Sequence, residues 1–335
     1  MSFTTRRQFI RSAGAFALAA SPSAARAQRP LPFWSTGTPL PPPRSEDSVA
    51  AIDSTIYVVG GYVPAGPNPK VLEASGYADV DGALVQVYDA AAGTWANRAS
   101  LPTGLNHIGI TAFDGKLYTF GGFAGQNRGA VPDANLYDPA ADKWTPIAPV
   151  PTKRGSISVA PLDGKIHLVG GRDEHSTGTH DVYDPVADRY ASAAPLPIGR
   201  DHMGLVEFEG KLYAIAGRID DFDHNTSYVD VYDPAADRWS SLAPMPSQRS
   251  GMAVAVFRAR VFAIGGEYRG GTFTNNEAFD PQSNTWSVFP AMPEGRHGTG
   301  AAVYNNAVYI PGGGPQNGGS MQSTTLFVFR LTFTG

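Results

Sequence analysis

The chain of 335 residues carries 26 Lys and Arg against 30 Asp and Glu, a net charge of −4, with 38 Gly, 28 Pro and no Cys. A hydrophobic content of 42% with 11% aromatics supports a sizeable core, and Gly and Pro spread along the whole length favour many short strands and turns over a helical bundle. Without Cys there is no disulfide framework, thiolate metal site, Cys nucleophile or tyrosine–cysteine radical cofactor, and the acidic balance argues against a nucleic-acid partner.

The first residues read as an address. Arg6 and Arg7 precede Phe9, and a short Ala-rich apolar run then ends at Ala25-Arg26-Ala27. The segment resembles a twin-arginine export signal, with an A-x-A pattern that marks cleavage after Ala27. The run is shorter than the ~20 residues that span a bilayer, so no stable membrane anchor is expected once residues 1–27 are removed. Removal takes four arginines with it and moves the net charge from −4 to −8. The resemblance implies export in the folded state and a periplasmic or secreted protein made of residues 28–335.

From residue 32 onward the chain repeats itself. An apolar run ending in a glycine pair recurs at Gly61, Gly122, Gly171, Gly266 and Gly313, with LYAIAG to Gly217 as the degenerate member. Behind it come an aromatic-Asp pair and then an outer aromatic, Trp95, Trp144, Tyr190, Trp239 and Trp286. The period is 46–49 residues beyond the first unit. Turns such as Asp114-Gly115 and Asp163-Gly164 precede the apolar runs, and Asp-Gly accepts the positive φ of tight hairpins. Each unit therefore reads as four antiparallel strands forming one blade of an all-β ring, in which stacked neighbours bury the faces that one blade alone cannot.

These Gly-Gly, Tyr-Asp and Trp landmarks, covering essentially residues 32–333, resemble the Kelch repeat family, which implies a six-bladed β-propeller of four-stranded antiparallel blades. The sixth unit lacks an outer aromatic after Phe329. Trp34 supplies the missing copy, so the N-terminal strand is expected to close the ring. An insertion at about 62–86 breaks the rhythm, with 61 residues between Gly61 and Gly122. It follows a glycine pair, which places it at the ligand end of the ring as either a lid or a decorative loop.

In this architecture the tight hairpins share one end, and the loops after the glycine pairs share the other with the segments entering each blade. Those segments carry an Arg column, Arg44, Arg154, Arg200, Arg249 and Arg296, interrupted by Leu105 and expected to make inter-blade hydrogen bonds. The next two columns vary: Ser45/Glu46, Asn106/His107, Gly155/Ser156, Asp201/His202, Ser250/Gly251 and His297/Gly298. Variation on a regular scaffold is where chemistry is sought. In Kelch domains that recognise acidic peptides, Arg after the glycine pair and polar residues after Pro-x-x-Arg contact the ligand. The resemblance gives that role to Asn106, His107, Arg172, Asp201, His202 and Arg218, but not to Tyr62, Phe123 or Glu267, where the residue type departs.

Such a funnel suits a small polar, acidic, carbohydrate-type ligand. Arg172 and Arg218 would hold a carboxylate, Tyr62 and Phe123 would pack a sugar face, and Asn106 and His297 would complete the binding set. His107 or His202 would move a proton, with Asp201 or Glu267 as counterpart, as an epimerase or mutarotase requires. Exported Kelch propellers of the bacterial N-acetylneuraminate epimerase type are similar in architecture, without a motif-by-motif match of catalytic residues. Galactose oxidase shares the propeller but needs the Cys this chain lacks. No cofactor is expected. No metal is assigned either: His107, His202 and His297 are spaced around the axis, but His297 stands one column early, and the Glu-x3-Asp-x3-His iron pattern of plant specifier proteins is absent. The alternative is a non-catalytic module that binds an envelope protein.

Overall fold

The computed structural model describes residue 1, residues 30–64 and residues 79–333. The twin-arginine segment and the middle of the 62–86 insertion lie outside the described residues. Six four-stranded antiparallel sheets stand around an axis, as the repeat period requires. In the first, Ser48–Ile52, Thr55–Val59, Val85–Asp89 and Thr94–Arg98 follow one another from the axis outward. The innermost strands of the other blades are Gly109–Phe113, Ser158–Leu162, Gly204–Phe208, Ala253–Phe257 and Ala302–Tyr304. Each touches the next, and the last returns to the first.

Closure occurs where Trp34 predicts it. Pro30–Thr36 pairs antiparallel with Leu326–Phe333 as the outer strand of the sixth blade, and Trp34 stands opposite Phe329. The Trp34 indole N–H donates to Pro290 O at 2.8 Å, across the seam to the chain leaving the fifth blade. The other outer aromatics repeat this latch: Trp95 to Thr38 O, Trp144 to Ala99 O, Tyr190 to Ala148 O, Trp239 to Ala194 O and Trp286 to Ala243 O. A large amphipathic ring is needed there because its body packs on its own blade while its polar tip reaches the neighbour. A second tie runs beside it. The Tyr137 hydroxyl donates to Asp142 at 2.6 Å, and the same carboxylate accepts from Ala99 N at 2.8 Å.

The core lies between blades rather than within them. Tyr57, Val59 and Val87 of the first blade pack on Leu117, Tyr137 and Trp144 of the second, and Ile56 and Tyr88 meet Tyr309 and Val328 across the closing seam. Each such side chain contributes about 1.5–3 kcal/mol on full burial. The glycine pairs admit this close stacking. At Gly121 (φ 60°) a Cβ would lie 2.2 Å from Arg154 O of the next blade's entry segment, and at Gly122 (φ 115°) 2.9 Å from Asn106 O of its own.

The Arg column corrects one expectation, because its bonds stay within a blade. Arg154 reaches Gly170 O at 2.9 Å and Asp181 at 2.8 Å, and Arg200 reaches Asp230 at 2.8 Å. Arg44 uses Gly60 O, Leu84 O and Gln86. The guanidinium groups of Arg44, Arg154, Arg200 and Arg249 each pin an entry segment onto the second and third strands of the blade it begins, and Arg296 holds Ser323, just ahead of the third strand of its own blade. At the root of the insertion, Tyr62–Pro64 pairs antiparallel with Asp79–Asp81 as a short ribbon.

Candidate functional site

Each entry segment brings one residue to the axis in the left-handed conformation. These are Glu46, His107, Ser156, His202, Gly251 and Gly298, with φ between 49° and 62°. Backbone bonds link neighbours of this ring: His107 N to Glu46 O, Ser156 N to His107 O, Gly251 N to His202 O and Gly298 N to Gly251 O, at 2.8–3.2 Å. A left-handed Glu or His costs about 1–3 kcal/mol and persists only where surrounding structure dictates it. Here these backbone bonds do so, in two arcs of three residues, Glu46 to Ser156 and His202 to Gly298.

The side chains form a buried, alternating network. His107 Nδ1 lies 2.5 Å from Asn106 Oδ1, and its Nε2 lies 3.0 Å from Glu46 Oε2. Glu46 Oε1 is 3.3 Å from His297 Nδ1, which is also 3.1 Å from Glu267 Oε2. Glu267 Oε1 accepts from Arg218 Nη1 at 2.9 Å and Oε2 from Gly318 N at 3.1 Å. Arg218 Nη2 lies 2.9 Å from His202 Nε2, its Nε donates to Asp201 Oδ1 at 3.2 Å, and Phe222 packs under the guanidinium at 4.5 Å. Asp201 also takes bonds from His202 Nδ1 and the Ser176 hydroxyl. The His107 and His202 rings are 4.8 Å apart.

Protonation follows from these partners. Burial, then the Arg218 charge, pushes His202 down to about 4, so the ring is neutral near pH 7 with its proton on Nδ1 toward Asp201 and its Nε2 lone pair toward Arg218. Burial favours neutral His297, but Glu267 and Glu46 together outweigh it and raise the pKa. Its Nε2 meets Gln316 O at 2.6 Å, so both ring nitrogens face acceptors, as an imidazolium requires. Burial likewise opposes ionised Glu46 and Asp201. For Glu46 the interactions with His107 and His297 prevail, and for Asp201 the interaction with His202, which donates Nδ1–H, and then the Arg218 charge, so both carboxyls are held below their usual range. Neighbouring Asp47 has weaker support, and burial lifts it to about 7.

The structure brings together His107, Asp201, His202, Arg218, Glu267 and His297, with Asn106 behind His107. Tyr62 and Phe123 are buried edge-on to the His107 ring, at 6.0 and 5.6 Å between centroids. Arg172 does not join them. Its guanidinium donates to Asp220 O at 2.7 Å and braces two rim loops. Glu46 is the participant that sequence reasoning missed, although it stands in the same column as His107 and His202.

Below the ring, an axial cavity of about 130 Å³ is lined by Glu46, His107, Ser156, His202, Gly251 and Gly298 among others. It shares walls with a second of about 190 Å³, which in turn shares walls with one of about 400 Å³ lined by Val49, Ile110, Val159, Leu205 and Val254. Together they follow the axis from the cluster to a far end where aliphatic side chains predominate among the lining residues.

Comparison with known proteins agrees with this architecture. The Kelch motif model matches residues 105–151, 199–246 and 248–293. The Kelch-like protein terF of Aspergillus terreus is 36% identical over 104 residues, a stretch that covers 28% of this chain and 20% of that protein. The solved structure of YjhT aligns with a TM-score of 0.72 at 17% identity, covering 89% of this chain and 99% of that one, which is a likeness of fold.

Proposed function

On a six-bladed propeller of Kelch repeats, we propose that the axial cluster binds a small acidic carbohydrate-type ligand and that Asp201 and His202 move a proton on it, as in an epimerase or mutarotase. The observation that carries this reading is the contact of Arg218 with His202 Nε2. A ligand carboxylate competes for the guanidinium, which prefers planar, bidentate partners. Once Arg218 turns to the ligand, Nε2 is uncovered as a base. Loss of the Arg218 contact also raises the His202 pKa from about 4 toward the operating pH, where a general base is most effective. The proton taken from the ligand then resides on Nε2, and Asp201 stabilises the imidazolium through Nδ1. We further propose, from the resemblance of residues 1–27 to a twin-arginine signal, that the protein works in the periplasm or outside the cell.

A second reading, an interaction module for an envelope protein, draws on two apolar side chains that stay exposed in the loops after glycine pairs, Tyr268 and Met321. A thermal-shift screen separates the two. Sialic, uronic or aldonic acid at ~100 times its dissociation constant adds ~2.7 kcal/mol of stability, and Arg218→Lys reduces that shift. NMR then follows exchange at the sugar's stereocentre, which His202→Gln abolishes. No shift with any acidic sugar, together with a partner whose capture is lost on Tyr268→Ser, would establish the interaction module instead.

A further inference from the structure

We propose that Glu46, His107 and His202 form a seat for one divalent transition-metal ion on the propeller axis. Their three donor atoms lie within 4.8 Å of one another. Bonds of about 2.0–2.2 Å from a common ion bring ligand atoms to roughly 3.0–3.5 Å apart, and Glu46 Oε2 and His107 Nε2 are already at 3.0 Å. The three residues occupy equivalent left-handed positions of the first, second and fourth blades, where the bonds from His107 N to Glu46 O and from Gly251 N to His202 O hold the backbone from which their side chains start.

Three further observations point to an ion. Both imidazoles are oriented from behind by the residue that precedes them, His107 Nδ1 by Asn106 Oδ1 and His202 Nδ1 by Asp201 Oδ1. An outer partner on the second ring nitrogen is what fixes the tautomer and direction of a metal-binding histidine, and here it aims both Nε2 atoms at the axis. His107 Nε2 is buried without a hydrogen bond, since Glu46 faces it at close range but out of alignment. Finally, the ring is left open on its other side. Gly251 and Gly298 carry no side chain, and a Cβ at Gly298 would sit 2.5 Å from the Glu46 carboxyl carbon. The cavity of about 130 Å³ beneath leaves room for water or another ligand to complete the shell.

Two imidazoles and a carboxylate favour Zn²⁺, Fe²⁺, Mn²⁺ or Co²⁺ over Ca²⁺ or Mg²⁺. Binding releases Arg218 from His202 Nε2, and the guanidinium keeps its bonds to Asp201 and Glu267. The ion and the carbohydrate reading make rival use of the same His202 Nε2. An ion on Nε2 takes that lone pair out of base chemistry, so sugar binding is to be measured on chelator-stripped protein and metal binding without sugar, and either can fail alone.

The test is titration of the stripped protein with Zn²⁺ by calorimetry and with Co²⁺ by visible absorption. One ion per chain is expected, with a Co²⁺ ligand-field spectrum altered from that of the aqueous ion. Glu46→Gln and His107→Ala abolish binding, Asn106→Ala weakens it by about 10–100-fold, and His175→Ala on the exposed rim leaves it unchanged. Absence of stoichiometric Zn²⁺ or Co²⁺ binding by the wild-type protein overturns the site. So does unchanged affinity in Asn106→Ala together with folded His107→Ala; if His107→Ala does not fold, as read by circular dichroism, unchanged affinity in Asn106→Ala alone does so.

Discussion

Asp201 and Arg218 are joined twice, through backbone N–H···O bonds of 3.0 and 2.9 Å in both directions and through the 3.2 Å side-chain contact. Matching bridges tie Ser45 to Tyr62, Asn106 to Phe123, Gly155 to Arg172, Ser250 to Glu267 and His297 to Gly314. The column after Pro-x-x-Arg and the column after the glycine pair are therefore neighbours in every blade. That pairing places the His202 ring between Asp201 and Arg218.

Arg218→Met removes the cation and leaves Asp201 and Glu267 buried without it. Breaking a buried ion pair from one side costs about 3–5 kcal/mol, so a loss of that order is expected in urea denaturation, with Arg218→Lys recovering part of it. In Arg218→Met the His202 ring, followed by NMR, should titrate above the value of about 4 to which burial and then the Arg218 charge push it, whereas Arg218→Lys, which keeps the charge, should raise it less. An unmoved midpoint would show that burial alone sets it.

At the seam, Trp34→Phe keeps an aromatic against Phe329 but deletes the bond to Pro290 O, and should cost about 1 kcal/mol. Trp34→Ala also loses the packing and should cost about 2–4 kcal/mol. Differential scanning calorimetry orders the three proteins; equal melting temperatures would mean that the strand contributes nothing to closure.

His167 and His180, on adjacent strands of the third blade, share a bond of 2.8 Å, with His180 against Tyr232 and Trp239 of the fourth. Burial, then the charge of His180, pushes His167 down to about 4, and burial lowers His180 as well. The unfolded chain, titrating near 6.5, thus binds more protons than the native state between about pH 6.5 and 4. Stability falls as pH falls through that window, by on the order of 3 kcal/mol for His167. His167→Gln can still donate to His180 and should flatten the slope in acid denaturation relative to wild type. Parallel curves would place the pH dependence elsewhere.

The inner hairpin of the fifth blade uses Arg258 and Ala259 at φ 52° and 55°, where the second and third blades use Asp-Gly and the fourth Glu-Gly. Ala259→Gly relieves a left-handed alanine, worth about 1 kcal/mol, and should raise the chemical denaturation midpoint without changing its slope.

The blades were legible because their signals are local: a glycine pair, a Tyr-Asp turn and an outer aromatic recur inside each unit, and Trp34 could be assigned by counting. The site was legible by column, since His107 and His202 share one register and Arg218 and Glu267 another. Glu46 stands in that first register too, but its segment, PPPRSED, offers three polar residues in a row, and only the φ of each one shows which faces the axis. The fate of Arg172 depended on a non-local partner, the Asp220 carbonyl one blade away. The Arg column was recognised as structural but given the wrong partners, because sequence spacing alone does not distinguish Asp181 of the same blade from a group on the next.

The pairing of Trp34 with Phe329 also sets a timetable. Pro30–Thr36 pairs with Leu326–Phe333, a strand that is made only after all the other strands of the six blades. Blades can form one by one during synthesis, as local hairpins do, but the first strand must wait unpaired until its partner in the sixth blade has been made. The axial ring needs the entry segments of all six blades, so it is completed only once the sixth segment, with Gly298, has been made, and any ligand or ion it holds must enter blades that are already assembled.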